Sequence, residues 1–313
     1  MTQTVFVTRR IPDVGLNAII DEFQTVIWEQ EMPPSKSDIV QNAEGCGGIV
    51  TLLSDPIDAE VIESLPQLRV ISQYAVGFDN IDISAATHRG IIVTNTPGVL
   101  TEATADLTWA LIMSACRRIA EADRYVRGGE WKVAWGPKML LGRDIHKATL
   151  GIIGLGRIGR AVARRATGFS MRILYHSRTR SDDTRKIERE TGAQMTDLET
   201  LLQESDIITI HVPLNEDTRD MIASNELAMM KPGAVLVNTS RGSVIDENAL
   251  YHSLKSGHLG GAGLDVFRQE PVSLQNPLLQ LPNVVVAPHV GSATIATRDR
   301  MAQICAENLI AAL

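Results

Sequence analysis

Cysteine is scarce and unpatterned. Cys46, Cys116 and Cys305 are odd in number, scattered and without metal-ligand spacing. That pattern excludes a disulfide framework and reads as buried reduced thiols in a cytoplasmic protein. Long apolar runs are also missing. The opening MTQTVFVTRR carries no apolar h-region, so no secretory signal is expected. The most apolar helical stretch, Leu107 to Cys116, is far too short to span a bilayer, so no membrane partner is expected. Positive charge is not in excess either. A net charge of −7 argues against a general nucleic-acid or membrane-surface binder. There is no tandem repeat, low-complexity tract or charge run. What remains, 44% hydrophobic and 21% charged over 313 residues, is an ordinary globular composition, long enough for two domains.

The stretch ATLGIIGLGRIGRAVARRATGFSMRILYHSRTR, Ala148 to Arg180, organises the chain. Leu150 to Ile153 is an apolar run that suits a strand buried on both faces. Gly154, Gly156 and Gly159 follow, then Ile158, Ala161, Val162 and Ala166 at helical spacing. Gly168 is expected to close that helix, and Met171 to His176 reads as a second strand. A strand, G-x-G-x-x-G, a helix and a further strand form the context of a dinucleotide fingerprint. Gly154 permits the tight turn, Gly156 lets backbone approach a pyrophosphate, and Gly159 lets helix and strand pack closely. The helix N-terminus supplies N–H donors and a positive dipole end. The plainer alternative is a glycine-rich turn with no ligand.

In the first hundred residues, Val5 to Thr8, Thr25 to Trp28, Gly48 to Leu53, Arg69 to Ser72 and Ile91 to Thr94 read as strands. Helical patterns separate them, as in a parallel sheet with crossover helices. Ligands bind beyond the carboxyl ends of such strands, which singles out LLSD and QYAVGFDNID. Gly77 in the latter suits an anion held by backbone N–H groups, or a plain turn. Thr96-Pro97-Gly98 breaks the first domain. Thr101 to about Gly128 then reads as one long helix, apolar nearly all round in LTWALIMSAC and hence buried on most sides. The arm GEWKVAWGPKMLLGRDI exposes Trp131 and Trp135. It points to a subunit interface, and so a homodimer, or to packing within the chain.

Ile207 to Val212, Val235 to Thr239, Ala262 to Val266 and Val284 to Ala287 are further strands. Ser292 to Leu313 is a closing helix. The strand ends supply Arg241, Glu270 and His289. Arginine's planar fork matches a carboxylate, and histidine moves protons near neutral pH. A neighbouring carboxylate would orient the ring and favour its charged form. Taken singly, each also fits a salt bridge, a loop carboxylate or a capped loop histidine. His211 reads as structural, beside the Pro213 turn.

VGFDNID, TEATADLTWAL, TLGIIGLGRIG, KPGAVLVNTSRGSVIDE, GLDVFRQEP and APHVGSAT stand in an order that resembles the D-isomer-specific 2-hydroxyacid dehydrogenases. Within that family the chain is similar to the glyoxylate/hydroxypyruvate reductase branch, over essentially its whole length. The resemblance implies an α/β protein of two doubly wound parallel sheets. A Rossmann-type nucleotide domain, residues 99–288, would be inserted into a flavodoxin-like substrate domain, residues 1–98 completed by 289–313. The active site would lie in the cleft between them.

The resemblance makes Arg241, Glu270 and His289 the catalytic arginine, glutamate and acid–base histidine. Val76 and Gly77 N–H groups would hold the carboxylate of a small 2-oxo acid, with Leu53, Arg241, His289 and Ser292 lining its pocket. The cofactor would rest on Gly154, Leu155, Gly156, Arg157, Ile158 and Gly159, on Val212 and Pro213, and on Thr104, Ser240 and Gly291. Asp265 and the Thr239 carbonyl would take the carboxamide. Met139 falls where the mammalian enzymes carry a tryptophan.

An NAD-preferring site places an acid at the end of the second strand, for the ribose 2′-OH. Here that place reads His176-Ser177-Arg178-Thr179-Arg180, and no acid occurs from Met171 to Ser181. NADP(H) is therefore expected to be preferred, with NAD(H) possible, unless the arginines form a solvated loop. Rival readings within the class are 2-ketogluconate reductase and phosphoglycerate dehydrogenase. The glutamate at position 270 sets formate dehydrogenase aside. A non-enzymatic rival is a cofactor-sensing corepressor, which would bind cofactor without reducing a 2-oxo acid.

Overall fold

The structure, a computed structural model, describes residues 3–313. It divides into two compact units, one running up to Leu100 and resuming at Ser292–Leu313, the other Thr101–Gly291. The lower junction therefore falls at 291/292, so His289 belongs to the second unit rather than to the C-terminal segment expected from 289 onward.

The first unit holds β1 (Thr4–Val7), β2 (Gln24–Ile27), β3 (Gly48–Thr51), β4 (Val70–Gln73) and β5 (Ile92–Thr94). They pair in parallel in the order β2-β1-β3-β4-β5. That is the flavodoxin-like order. Alternate side chains go to opposite faces, and both faces are buried. Phe6, Ile49 and Ile71 pack with Ile39, Ile57 and Ile62 on one side. Val5, Val7, Val50 and Val70 pack on the other with Leu16, Ile19 and the closing helix Ile295–Ala312. That helix presents Met301, Ala302, Cys305, Ala306 and Leu309, a stripe at helical spacing. Each such fully buried aliphatic side chain contributes about 1.5–3 kcal/mol relative to exposure.

The second unit holds β6 (Thr149–Ile153), β7 (Arg172–His176), β8 (Gln194–Met195), β9 (Ile207–Ile210), β10 (Val235–Asn238), β11 (Gly261–Leu264) and β12 (Val284–Val286). Their order is β12-β11-β10-β9-β6-β7-β8, all parallel. Strand order reverses between β6 and β9, the switch point at which a doubly wound sheet binds its ligand.

Two local expectations are corrected. The long helix from Thr101 is two helices, Thr101–Cys116 and Ile119–Arg127, broken at Arg118 in left-handed backbone with φ 55°. Arg118 grips both carboxylate oxygens of Glu121 at 2.7 Å, and Arg143 N–H donates to the Cys116 carbonyl at 2.8 Å. A returning arm thus ends the first helix, which no Gly or Pro announces. The helix after the glycine motif stops at Ala166, before Gly168. A 3-10 turn, Thr167–Phe169, follows, and Ser170 takes the left-handed position with φ 54°. Phe169 is fixed there by stacking on Trp109, ring centroids 4.7 Å apart.

Candidate active site

Three strand ends of the second unit carry the expected acid–base residues. After β10, Asn238 folds the chain back on itself. Its Oδ1 accepts from Ser240 N–H at 3.0 Å and from Ser240 Oγ at 2.9 Å, and its Nδ2 donates to the Arg241 carbonyl at 2.9 Å. Arg241 Nη1 donates to the Ser240 carbonyl at 2.8 Å. Gly242 comes next because no Cβ fits: it would lie 1.9 Å from the Phe267 carbonyl carbon. That close approach sets Arg241 beside the loop that carries Glu270, and the Arg241 charge acts on the Glu270 carboxylate.

Glu270 Oε1 accepts from Phe267 N–H at 2.9 Å, and its Oε2 meets His289 Nδ1 at 2.7 Å. Burial works to raise the Glu270 carboxyl, but the His289 hydrogen bond and charge outweigh it. The group sits below the ordinary glutamate range. With Nδ1 directed at a carboxylate, Nε2 is the His289 nitrogen available for proton transfer.

His289 itself has left-handed backbone, φ 55°. A non-glycine residue holds that conformation only where its surroundings over-determine it. Asp265, 1% exposed, does so. Its carbonyl accepts from His289 N–H at 2.7 Å, its Oδ1 from Val290 N–H at 2.7 Å and its Oδ2 from Gly291 N–H at 2.9 Å. Burial, only partly offset by these donors, raises the Asp265 carboxyl. Thr104 Oγ1 closes the turn by donating to the Gly291 carbonyl at 3.2 Å, and Thr108 and Thr239 hydroxyls meet at 2.9 Å.

The glycine motif lies at the end of β6, at the switch point. Gly154 has φ 96°, and a Cβ on it would lie 2.8 Å from the His211 carbonyl oxygen. A Cβ on Gly159 would lie 2.2 Å from the Gly154 carbonyl oxygen, whereas above Gly156 the space is open. Gly156 is the N-cap of the helix Arg157–Ala166, and no side chain caps that end. Leu155, Arg157 and Ile158 complete the turn, so the N–H donors there fit a dinucleotide phosphate. Val212 packs against this turn. The Pro213 carbonyl accepts from Thr218 Oγ1 at 2.7 Å, which folds the next loop. Among the described residues, both His211 ring nitrogens are buried without a partner. Burial pushes that group down to about 3, so the ring is neutral.

Beyond β7, sequence reasoning missed two acids that come from other segments. Arg180 is engaged by Glu188, with Nε at 2.9 Å from Oε1 and Nη2 at 2.6 Å from Oε2. Tyr175 donates to the same carboxylate at 2.5 Å; burial first, and then Glu188, push the phenol up to about 12. Arg178 lies 3.6 Å from Asp217, both side chains about three-quarters exposed. Ser177 precedes Arg178, and Thr179 lies between the two arginines, in an irregular loop.

In the first unit, Leu53, Val76 and Gly77 lie in loops beyond β3 and β4, and Ser292 leads into the closing helix. The Leu52 N–H donates to buried Asp55 at 2.7 Å, which turns the Leu53 loop. Burial raises the Asp55 carboxyl. Met139 follows Trp135, 76% exposed, in the arm.

The description "D-isomer specific 2-hydroxyacid dehydrogenase, NAD binding domain" matches residues 109–291. A glyoxylate reductase of Korarchaeum cryptofilum is 58% identical over 311 residues, 99% of this chain and 93% of the relative. The crystal structure of an NADPH-dependent glyoxylate/hydroxypyruvate reductase from Sinorhizobium meliloti, in complex with NADP and malonate, superposes with a TM-score of 0.87. It is 33% identical, covering 99% of this chain and 93% of that one. A D-lactate dehydrogenase from Aquifex aeolicus, complexed with NAD and lactic acid, gives a TM-score of 0.86 at 28% identity, covering 99% and 95%. The coenzyme is therefore a nicotinamide dinucleotide, and no helix among the described residues is long and apolar enough to cross a membrane. The chain belongs to the D-isomer specific 2-hydroxyacid dehydrogenase family, a family of NAD(P)-dependent oxidoreductases, and groups within it with the glyoxylate reductases.

Proposed function

We propose that the protein is an NADPH-preferring reductase of small 2-oxo acids, glyoxylate and hydroxypyruvate first among them, yielding D-2-hydroxy acids. The observation that carries this reading is the 2.7 Å pairing of His289 Nδ1 with Glu270 Oε2. The glyoxylate reductase relative at 58% identity supports the substrate class. A nicotinamide cofactor, when bound, supplies the hydride that the keto carbon accepts. Arg241 clamps the substrate and polarises its carbonyl, as a planar cationic fork can. His289 Nε2 gives its proton to the carbonyl oxygen as charge develops there, and Glu270 keeps the ring charged and aligned. Val76 and Gly77 N–H groups hold the substrate carboxylate, with Leu53 and Ser292 lining its site.

Cofactor phosphates take the N–H groups at Gly154–Gly159, beside Val212 and Pro213. Asp265 has lone pairs beyond those its turn uses. With the Thr239 carbonyl it receives the carboxamide, near Thr104, Ser240 and Gly291. Arg178 and Ser177 take the 2′-phosphate of NADP(H). The exposed Trp131, Val133, Trp135 and Leu141 support a homodimer built on the arm, and we assign the enzyme to the cytoplasm. The test follows NADPH and NADH oxidation against glyoxylate, hydroxypyruvate, pyruvate and 2-ketogluconate. Fast turnover of the first two, with NADPH ahead, is expected. Cofactor binding without reduction of any 2-oxo acid would overturn the reading.

A further inference from the structure

The loop after β4 has three successive carbonyls claimed by interior donors. Ala75 C=O accepts from Thr96 N–H at 2.8 Å, Val76 C=O from Asn95 Nδ2 at 2.8 Å, and Gly77 C=O from Gln73 Nε2 at 3.2 Å. In a trans peptide the N–H points opposite to the carbonyl it shares a plane with. Tying those three carbonyls inward therefore turns the N–H groups of Val76, Gly77 and Phe78 away from the interior. Among the described residues, none of the three N–H groups donates to a backbone acceptor.

The amide that holds the Gly77 carbonyl is itself saturated, and so is the amide it leads to. Gln73, fully buried, accepts from Thr51 Oγ1 at 2.6 Å and gives its second Nε2 hydrogen to Asn80 Oδ1 at 2.8 Å. Asn80 spends both Nδ2 hydrogens on the next loop over, on the Leu52 carbonyl at 3.0 Å and the Asp55 carbonyl at 2.9 Å. Two facing carbonyls leave no choice of which end of Asn80 carries the NH2. We propose that Gln73 and Asn80 form a positioning relay that fixes the Gly77–Phe78 peptide at the end of the Val76–Gly77 loop and locks that loop to the Leu53 loop, so that both substrate-binding loops of this unit are set as one piece. The proposal rests on the substrate role assigned above to those loops.

Neither side chain touches the reacting atoms, so the relay acts on binding of the carboxylate in ground and transition states alike. It should move KM more than kcat. Asn80→Ala removes the link between the loops, and Gln73→Glu keeps the acceptor for Thr51 while removing both donors. In each, the KM for glyoxylate should rise about ten- to hundredfold, the scale of losing a charge-assisted hydrogen bond. Turnover at saturation should fall less than threefold, and the Kd for NADPH should stay put. Oxamate, an unreactive 2-oxo acid analogue, gives a readout free of turnover. Its Kd on NADPH-loaded protein should weaken in step with KM.

A fall in Tm with KM and oxamate Kd within twofold of wild type, in both variants, would show the amides to be merely structural. If Asn80→Ala does not fold, Gln73→Glu decides by the same ratios. Wild type that binds oxamate but reduces no 2-oxo acid overturns the reaction assignment, and the oxamate ratios still decide the relay. Wild type that neither binds oxamate nor reduces a 2-oxo acid overturns both.

Discussion

Two turns beyond strand ends use the same hydrogen-bond arithmetic with opposite sign. At His289–Gly291, one aspartate accepts from three successive N–H groups. At Ala75–Gly77, donors are placed on three successive carbonyls. The first turn has spent its N–H groups, so what it can offer chemistry is a side chain, His289. The second has spent its carbonyls, so what it offers is backbone N–H, suited to an anion. A buried carboxylate in one turn and the donors of Thr96, Asn95 and Gln73 in the other are therefore of opposite polarity, each choosing which half of the peptide faces a ligand. In both cases the side of the peptide turned inward is hydrogen-bonded, which holds the turn in place.

The largest break in this comparison comes at the first turn. His289→Ala removes the group being presented and should cost at least about a hundredfold in turnover, with cofactor affinity unchanged. Asp265→Asn leaves the imidazole in place but sets an NH2 against the Val290 or Gly291 N–H. One unsatisfied buried donor costs about 1–3 kcal/mol. Turnover should fall about tenfold, and Tm should fall with it. Equal activity of Asp265→Asn and wild type would mean that the carboxylate does not hold the turn.

Glu270 sharpens the same turn from the other side. Its carboxyl is lower folded than unfolded, so it binds its proton less readily in the native state. Its contribution to stability is then full above the ordinary glutamate value, about 4.3, and is lost as pH falls below it. Wild type should lose Tm faster than Glu270→Gln as pH drops from 5 toward 3, on the order of that window. In the reducing direction, Glu270→Gln should also lower turnover at least about tenfold, because a neutral amide replaces the carboxylate that holds the His289 ring. Turnover equal to wild type would detach Glu270 from the proton transfer.

How much of this was legible in the sequence follows from how local each device is. The strands of both sheets were readable to within a residue or two, because burial on both faces leaves unbroken apolar runs such as Leu150–Ile153. The glycine motif was readable because its three glycines fall within six residues, even though the carbonyl that excludes a Cβ at Gly154 comes from His211. The two-residue strand β8 was invisible, being too short to carry a period. The break at Arg118 was missed because its cause, Arg143, arrives 25 residues later. The relay was missed for the same reason. Asn80 stood inside a segment already singled out, but its partners Leu52 and Asp55 lie on another loop. The acids opposite Arg178 and Arg180 likewise come from outside the strand end that was searched.

The Ser177–Arg180 loop is the counterexample to both turns, since its charged groups are exposed and opposed by carboxylates. Arg178, paired loosely, is the arginine able to turn to a 2′-phosphate. Arg178→Ala should cost about ten- to hundredfold in NADPH affinity, the worth of a charge-assisted hydrogen bond. NADH affinity should change little. Arg180, already engaged by Glu188 through two nitrogens, should matter less. Equal loss for both coenzymes would mean that this loop does not read the phosphate.

Asp217 gives the smallest effect and the finest test of that loop. It stands 3.6 Å from Arg178, with both side chains about three-quarters exposed. A pair so exposed contributes little to holding the arginine in place. The Asp217 charge, however, sits within a few ångströms of wherever Arg178 would hold a phosphate, and like charges there repel. Asp217→Asn keeps the side-chain shape and deletes the charge. NADPH should bind about two- to fivefold more tightly at low salt, the size expected for exposed charges in a high dielectric. The gain should shrink in roughly molar salt, where the screening length falls to about 3 Å. NADH should be indifferent at either salt. Fluorescence titrations of the two coenzymes at the two salt concentrations read all four values. A gain for NADH as large as that for NADPH would place Asp217 away from the 2′-position, and a salt-independent gain would point to loop rearrangement instead of charge.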